Sequence, residues 1–262
     1  MIALKSTREI QGMQAAGDIL AGLFHALADY IKPGMTTWDI DHFSYKYIID
    51  HDATPGELNF EGYKYSTCVS VNDVICHGCP SKDELIKAGD LVKVDTVIDY
   101  HGYLSDACHA FVVGEASAEV QKLMDVTLKS LYLGIDQAVV GNRIGDIGFA
   151  IQDYAENQLG YGVVRDYIGH GIGPTMHEDP DVPHYGTASH GTRLKAGMTI
   201  TIEPMINVGS LECSAPADDG WTISTVDGSL SCQYEHTIVI TNEGPKILTS
   251  FDHDLDAKYL LK

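Results

Sequence analysis

Residues 89–114 read GDLVKVDTVIDYHGYLSDACHAFVVG, and this segment predicts a β-hairpin. Residues 90–99 and 103–113 are rich in Val and other strand-forming residues, and Tyr100-His101-Gly102 forms the turn between them. So short a connection joins antiparallel neighbours, because parallel strands need a crossover of a dozen residues or more. The hairpin therefore predicts an antiparallel sheet.

Helices precede and follow this hairpin. Ser6-Thr7-Arg8-Glu9 is a capping box, and it opens a predicted helix that ends before Pro33-Gly34. The other predicted elements are a helix from about Thr36, a hairpin over 67–76, helices over 117–139 and 144–159, and strands over 198–203, 221–225 and 232–241. Since most strand connections are short, we expect an α+β fold with a largely antiparallel sheet and helices on one face. The repeated order allows two similar halves within a single domain, residues 1–262.

The composition argues against several classes of protein. Apolar residues make up 44% of the chain, but no run of about 18 of them predicts a transmembrane helix. Residues 1–6 lack the apolar stretch and cleavage site of a signal peptide, which favours a cytoplasmic protein. The net charge of −20 argues against nucleic-acid binding, because phosphates need a basic surface.

Six cysteines are expected to stay reduced, because a chain of 262 residues without an export signal does not need disulfides. Cys76-His77-Gly78-Cys79 has the spacing of a redox pair or of half a zinc site. No second such pair exists, and the segment closes a hairpin instead of opening a helix. Neither role is therefore favoured.

Four acidic residues occupy strand positions that acidic residues seldom take: Asp95, Asp106, Glu203 and Glu235. Side chains alternate between the two faces of a strand, so Glu203 faces away from Ile202. Each carboxylate is expected on the face opposite to the helices. A solvent-facing acid on an antiparallel sheet is the ordinary explanation for any one of them, but four in one chain weaken it.

His170 and His177 lie in YIGHGIGPTMHEDP, residues 167–180, whose glycines and prolines predict a loop. Imidazoles on such a loop suit metal binding or proton transfer, although an ordinary hydrogen-bonded histidine is commoner for either residue alone. His77, which closes the hairpin over 67–76, has the same two interpretations.

Four carboxylates brought together would repel one another, and at least one would bind a proton unless cations were present. Two divalent ions would balance four negative charges. Oxygen ligands with one or two imidazoles suit Mn, Fe, Co or Zn. Ions about 3.5 Å apart can share a hydroxide that attacks a carbonyl carbon. The spacing along the chain does not establish that these residues converge.

Five segments resemble, in order and spacing, the motifs of the type I methionine aminopeptidases of the bacterial kind. They are CVSVNDVICHG (68–78), GDLVKVD…GYLSD…FVVG (89–114), GHGIGPTMHEDP (169–180), MTITIEP (198–204) and SCQYEHT (231–237). The match extends from Ser6 to Thr241. It implies the pita-bread fold of aminopeptidases and creatinase, with two pseudo-twofold halves. It also implies removal of the N-terminal methionine from nascent chains that have a small second residue.

The resemblance implies a ligand set for two metal ions: Asp95, Asp106, His170, Glu203 and Glu235. Asp106 and Glu235 would bridge the two ions. Asp95 would complete one site, and His170 with Glu203 would complete the other. A hydroxide between the ions would attack the scissile carbonyl, with Glu203 as the general base.

Further residues have roles implied by the same resemblance. His177 would stabilise the oxyanion through a hydrogen bond, and His77 would contact the amide nitrogen of the second residue. The positions that match the methionine pocket are Phe60, Tyr63, Cys68, Met176 and Trp221. Family members often have tyrosine at position 60, phenylalanine at position 176 and proline at position 64, where this chain has lysine. We therefore expect a slightly altered pocket and a less rigid entrance loop.

The resemblance also implies a monovalent cation held by backbone carbonyls near 70–72 and Val74. Members of the family are commonly monomeric and could work at the ribosome. No direct contact with nucleic acid or with a membrane is expected.

Other functions remain open from the sequence alone. Prolidases, Xaa-Pro aminopeptidases and creatinases share the ligands or the scaffold, but they usually carry a large additional N-terminal domain. Type II methionine aminopeptidases carry a helical insertion, for which there is no room between His177 and Glu203. A non-enzymatic pita-bread module that binds proteins or RNA would lack the ligands. Carboxylates that hold only Ca²⁺ or Mg²⁺ would give no hydrolysis.

Overall fold

Antiparallel strands backed by helices make up the structure, a computed structural model that describes residues 2–254. The helices are α1 (Thr7–Tyr30), α2 (Thr37–Asp50), α3 (Ala118–Asp136) and α4 (Ile144–Gln152). The strands are β1 (Thr54–Pro55), β2 (Cys68–Val71), β3 (Val74–Cys76), β4 (Leu91–Tyr100), β5 (Tyr103–Val112), β6 (Gly162–Val163), β7 (Gly169–Gly171), β8 (Glu178–Val182), β9 (Thr199–Ile202), β10 (Met205–Asn207), β11 (Ile223–Ser224), β12 (Ser231–Gln233), β13 (His236–Thr241) and β14 (Gly244–Ile247).

The first helix begins where the capping box predicts. The Ser6 hydroxyl accepts a hydrogen bond from the Glu9 N–H at 3.4 Å, and the Glu9 carboxylate accepts one from the Ser6 N–H at 2.7 Å. Each bond satisfies a backbone donor that a helix start would otherwise leave unpaired. Within residues 2–254, no helix is long and apolar enough to cross a membrane.

Two sheets carry most of the strands, and the predicted antiparallel α+β architecture is confirmed. In the first sheet β4 pairs with β5, β2 and β1, and in the second the order is β14-β13-β9-β7-β8. All strand pairs of the described chain are antiparallel. Two helices followed by antiparallel strands occur once over 7–112 and again over 118–247, which is the order expected of two similar halves.

Apolar side chains fix which face of each sheet meets the helices. On the first sheet, Val92, Val94 and Ile98 pack in one cluster with residues of α1 and α2. On the second sheet, Ile200 and Ile202 pack in another cluster with residues of α3 and α4. Burying each such side chain contributes about 1.5–3 kcal/mol. The opposite faces of the two sheets therefore turn towards each other.

Two predicted elements differ from the structure. The helix predicted over 144–159 is α-helical only to Gln152 and then continues as a π-helical turn, Asp153–Gln158. The strand predicted over 232–241 is interrupted, because β12 ends at Gln233 and β13 begins at His236. Glu235 lies in this break, and its N–H donates to the Cys108 carbonyl of β5 at 3.0 Å. The interruption thus directs the Glu235 backbone to the first sheet.

Candidate active site

A cavity of about 330 Å³ lies between the two sheets. It is lined by all of the candidate site residues, namely Phe60, Tyr63, Cys68, His77, Asp95, Asp106, His170, Met176, His177, Glu203, Trp221 and Glu235. The convergence that the spacing along the chain left open is therefore present in the fold.

The register of the first hairpin places Asp95 and Asp106 on one face. Asp95 of β4 lies opposite Cys108 of β5, and Val97 lies opposite Asp106. Residues two apart on a strand share a face, so the two carboxylates form a diagonal cross-strand pair. The Thr237 hydroxyl accepts from the Asp106 N–H at 3.0 Å and donates to the Asp106 carbonyl at 2.8 Å. These two hydrogen bonds to β13 fix Asp106 against the second sheet.

Glu203 and Glu235 lie beside one another at the ends of paired strands. The last residue pair of β9 and β13 is Ile202 and His236. Glu203 follows Ile202 and Glu235 precedes His236, so the two glutamates lie next to this pair at the same end of the sheet. The Glu203 N–H donates to Nε2 of the buried His184 at 3.0 Å, and its carboxylate accepts from the Thr201 hydroxyl at 2.8 Å. The backbone and the side chain of Glu203 are thus held independently.

The interpretation of these acids as solvent-facing residues is wrong. Asp106, Glu203 and Glu235 are 6%, 8% and 2% exposed. Their faces would be solvated on an isolated antiparallel sheet, but here each sheet covers the other. Burial of three carboxylates at one place is unusual unless a partner compensates their charge.

His170 lies on strand β7 and not on a loop, so that prediction is wrong for this residue. The strand fits because glycines flank the histidine: a Cβ on Gly169 would lie 2.6 Å from the Thr201 carbonyl, and one on Gly171 would overlap the Asp179 carbonyl. A glycine- and proline-rich sequence can also form a strand, where a neighbouring backbone lies so close that only a residue without a Cβ fits.

The imidazole of His170 points its Nε2 atom at the carboxylates. Nδ1 lies 2.9 Å from the Gly171 carbonyl and donates to it in the neutral ring. Nε2 lies 3.8 Å from Asp106 Oδ2 and 3.7 Å from Glu203 Oε1. Burial lowers the pKa of His170 to about 4, so Nε2 keeps a free lone pair at neutral pH.

Exchanging Gly171 for alanine should disturb both the fold and this histidine. The new methyl group would overlap the Asp179 backbone, so β7 must shift, at a cost of about 1–3 kcal/mol in the free energy of unfolding. Urea denaturation measures that loss, and metal analysis should reveal weaker binding. Gly22→Ala is the matched control, because its methyl meets only the hydroxyl end of Tyr47. Unchanged metal affinity in Gly171→Ala would contradict the role of β7.

The electrostatics of the carboxylates favour bound cations. Burial raises the pKa of Asp95 to about 7, and burial together with neighbouring carboxylates raises the pKa values of Asp106, Glu203 and Glu235 well above their usual range. Asp106 Oδ1 and Glu235 Oε1 are buried without a hydrogen-bond partner among residues 2–254. Divalent cations would satisfy these oxygens and offset the repulsion.

Asp106, His170 and Glu235 each offer one ligand atom, and these atoms all lie within 4.8 Å of one another. Oxygen ligands joined by one imidazole suit divalent transition metals. Asp95 lines the same cavity, and its charge is among the causes that raise the pKa values of Asp106, Glu203 and Glu235. The donor set of Asp106, His170 and Glu235 therefore fits a divalent metal ion.

His77 and His177 lie on the wall of the cavity, outside the carboxylate cluster. The ring centroids of His177 and His170 are 4.4 Å apart, and those of His177 and Phe60 are 5.3 Å apart. His77 has a left-handed φ of 56°, which is strained for a residue with a side chain. Burial lowers the pKa of both histidines, so both rings are neutral at neutral pH.

Apolar side chains form the remaining wall of the cavity. Tyr63, Cys68 and Met176 are buried, whereas Phe60 and Trp221 are partly exposed at its edge. The rings of Tyr63 and Trp221 meet edge to face, with centroids 5.1 Å apart. Such a wall takes an apolar side chain better than a polar one.

The profile of metallopeptidase family M24 matches residues 11–242. The chain belongs to this family of metallopeptidases. Members of metallopeptidase families act with a metal ion, and the donor atoms of Asp106, His170 and Glu235 suit a divalent one.

Two relatives of this M24 metallopeptidase, one compared by sequence and one by structure, are both methionine aminopeptidases. A methionine aminopeptidase of Clostridium acetobutylicum is 44% identical over 249 residues, which cover 95% of this chain and 99% of the relative. The crystal structure of methionine aminopeptidase from Rickettsia prowazekii superposes with a TM-score of 0.93 at 40% identity, over 95% of this chain and 100% of that chain. The pita-bread fold is therefore confirmed.

Prolidases also have this M24 fold. The crystal structure of the prolidase from Pyrococcus horikoshii gives a TM-score of 0.77 at 25% identity, over 96% of this chain and 65% of that chain. Both the identity and the share of the relative that is covered are lower than for the methionine aminopeptidases.

Three polar residues of the M24 fold, of which two are buried and one is half-buried, were not indicated by any motif. Glu57 lines the cavity, and its carboxyl lies 3.7 Å from the Cys68 thiol. His184 supports the Glu203 backbone. Lys93 lies on β4, and burial lowers its pKa to about 8, so most of its ammonium stays charged at neutral pH. Glu57 and His184 lie outside periodic strands. Only Lys93 gave a sequence signal, because a lysine between Val92 and Val94 interrupts an apolar strand.

Proposed function

We propose that this chain is a methionyl aminopeptidase, which removes the N-terminal methionine from peptides and nascent proteins with a small second residue. The single observation that carries the proposal is a cluster of buried carboxylates with one imidazole beside an apolar cavity wall. The high identity to methionine aminopeptidases over 95% of the chain favours this substrate over Xaa-Pro peptides.

Two divalent ions are proposed to bind among the clustered ligands. Asp106 and Glu235 would lie between the ions, Asp95 would complete one site, and His170 with Glu203 would complete the other. The partnerless oxygens of Asp106 and Glu235 support these two residues as metal ligands. When bound, such ions supply a Lewis acid that activates water and polarises the scissile carbonyl. Co, Mn, Fe and Zn all suit this donor set.

The chain's own groups handle the protons. Glu203, held by Thr201 and His184, accepts a proton from the attacking water and returns it to the leaving amine. His177 donates a hydrogen bond to the carbonyl oxygen as negative charge develops there. His77 contacts the amide nitrogen of the second residue and assists its departure.

The wall formed by Phe60, Tyr63, Cys68, Met176 and Trp221 would hold the methionine side chain. A thioether gains most from apolar burial and from contact with aromatic rings. The free α-amine of the substrate would bind at the metal held by the carboxylate cluster. This requirement for a free amine would make the enzyme an exopeptidase.

Turnover of two tripeptides tests the proposal. Met-Ala-Ser should be cleaved with Mn²⁺, Fe²⁺, Co²⁺ or Zn²⁺, and Ala-Pro-Ala should not be cleaved. Faster cleavage of Ala-Pro-Ala would instead identify a prolidase-like enzyme. No hydrolysis with any of these ions, together with less than one bound ion per chain after anaerobic reconstitution, would favour a binding module.

Exchanging His177 for alanine should lower kcat about 10²-fold or more, because a hydrogen-bond donor to the oxyanion is lost. The metal content should barely change, since Nε2 of His170 and not His177 points at Asp106 and Glu203. Steady-state kinetics with elemental analysis measures both quantities. Exposed His190→Ala is the control. Loss of metal from His177→Ala would make His177 a ligand and refute its assigned role.

Further parts of the proposal concern the whole protein. We propose that residues 1–262 form one catalytic domain that works as a monomer in the cytoplasm, on chains emerging from the ribosome. All six cysteines are free thiols, which suits a reducing compartment. The net charge of −20 opposes direct contact with ribosomal RNA, so any ribosome contact would involve protein surfaces.

A further inference from the structure

Lys93 is a fully buried lysine, and no carboxylate among residues 2–254 forms an ion pair with its ammonium. Its side chain lies in the interior at 1% exposure. Nζ donates to the Asn72 carbonyl at 2.9 Å and to the Ser231 carbonyl at 2.8 Å. Buried lysines are rare unless a partner compensates their charge. Here the compensation comes from backbone carbonyl dipoles.

The first of these carbonyls is held rigidly in place. Asn72 has a left-handed φ of 50° in the turn between β2 and β3. Its N–H donates to the Leu91 carbonyl at 2.9 Å, and its side chain accepts from the Leu91 N–H at 3.0 Å and donates to Asp90 at 2.9 Å. With both backbone and side chain bonded, the Asn72 carbonyl cannot turn away from Nζ. The position is therefore built to present an oxygen inward.

The second carbonyl belongs to the other sheet system. Ser231 begins β12, and its N–H donates to the same Asn72 carbonyl at 3.1 Å. Its hydroxyl is buried with no hydrogen-bond partner among residues 2–254. A converging set of uncharged oxygens around one positive charge is the arrangement in which backbone binds a monovalent cation.

We propose that the Lys93 ammonium takes the place of an exchangeable monovalent cation, so that the protein carries its own cation and needs neither sodium nor potassium. The ammonium has the same single charge as such an ion and is held by the carbonyls of Asn72 and Ser231. Lysine is a compact point charge with three donors and no acceptor, so carbonyl oxygens satisfy it as they satisfy a metal cation.

This tethered cation also positions the proposed metal ligands. Lys93 is two residues before Asp95 on β4, and Ser231 is four residues before Glu235. The two hydrogen bonds of Nζ therefore join the β2–β3 turn and β12 to β4 immediately beside the site. Lys93 is a positioning residue, because it touches no atom of the cavity. The inference does not depend on the identity of the substrate.

Salt exchange on the metal-loaded protein tests the proposal. The melting temperature and kcat/KM of the wild type should be the same in sodium, potassium and choline chlorides of equal ionic strength. In Lys93→Ala, which removes the charge and opens space, the melting temperature in choline chloride should fall by about 5 °C or more. Sodium or potassium should restore most of that loss, and the affinity for the divalent metal with it.

Two variants separate the tethered charge from packing. Lys93→Met fills the space without a charge, so it should be destabilised in all three salts and should not recover in sodium or potassium. Exposed Lys122→Ala should behave as the wild type. If both Lys93 variants fail to fold, the wild-type comparison still tests the proposal, because stabilisation by sodium or potassium over choline would refute it.

The opposite results would overturn the proposal. Stabilisation of the wild type by sodium or potassium over choline would mean that an exchangeable ion binds beside the lysine. A Lys93→Ala protein that melts at the same temperature in all three salts would mean that the carbonyls form no cation site. Either result would leave the proposed aminopeptidase activity untouched, since that activity is measured separately by cleavage of Met-Ala-Ser.

Discussion

Glu203→Gln is expected to lower kcat about 10³-fold or more, because general-base catalysis alone contributes about 10²–10⁴. Glutamine has nearly the same shape, and its amide oxygen can still accept the Thr201 hydroxyl now bonded to the carboxylate at 2.8 Å. The His184 contact is to the Glu203 backbone and should persist. The loss therefore reports on proton transfer and on metal charge, not on folding.

Three measurements make this result interpretable. The melting temperature of Glu203→Gln without metal should not fall, and KM for Met-Ala-Ser should change little. Divalent metal should bind more weakly, because a charged proposed ligand is replaced by a neutral one. Glu212→Gln, an exposed glutamate, is the matched control. If Glu203→Gln kept more than about a tenth of wild-type kcat, another group would have to be the base.

Much of the fold follows from local patterns. The capping box at Ser6 places the start of α1, and the turn between β4 and β5 lies at His101-Gly102, within the predicted turn segment. The errors occur where tertiary contacts override local preference. β7 is a strand because two glycines allow close approach of neighbouring backbone, and the strand over 232–241 breaks where the Glu235 N–H reaches β5.

The site was only partly accessible from the sequence. Strand parity put Asp95 and Glu203 on the faces away from the helices, and the packing of Val94 and Ile202 with the helices confirms this. Parity cannot tell a solvated face from one covered by a second sheet, because both alternate in the same way. The Thr237 bonds to Asp106 span 131 residues, and no local pattern encodes them.

Lys93 and Glu57 show a second limit of prediction from sequence, which concerns buried or half-buried polar residues outside recognisable motifs. A lysine inside an apolar strand violates the usual pattern, and its carbonyl partners lie 21 and 138 residues away. Glu57 lies in an irregular segment whose side-chain directions have no period. Polar residues of this kind are identified only after the fold shows what surrounds them.

Asp106→Asn is expected to abolish activity and yet to stabilise the metal-free protein. A proposed metal ligand is lost, so metal affinity should collapse and kcat/KM should fall about 10³-fold, the equivalent of about 4 kcal/mol of transition-state stabilisation. In the metal-free protein the same change removes one of the buried carboxylates whose mutual repulsion raises the pKa values of Glu235 and Glu57. The asparagine amide can also donate to those neighbouring carboxylates.

The pH dependence of unfolding separates these two effects of Asp106. Carboxyl pKa values in the folded metal-free protein lie above those of the unfolded chain, so the folded state binds more protons between them, and the free energy of unfolding must fall as pH rises. For Asp95 that interval runs from about 4 in the unfolded chain to about 7 in the folded protein. Metal-free wild type should therefore lose stability steadily over this interval, and Asp106→Asn should lose less.

With saturating Mn²⁺ the order should reverse, because only the wild type gains the binding free energy of the ions. Equal stabilisation of both proteins by Mn²⁺ would show that Asp106 is not a ligand, since a residue that bridges two ions cannot be neutralised without loss of that gain.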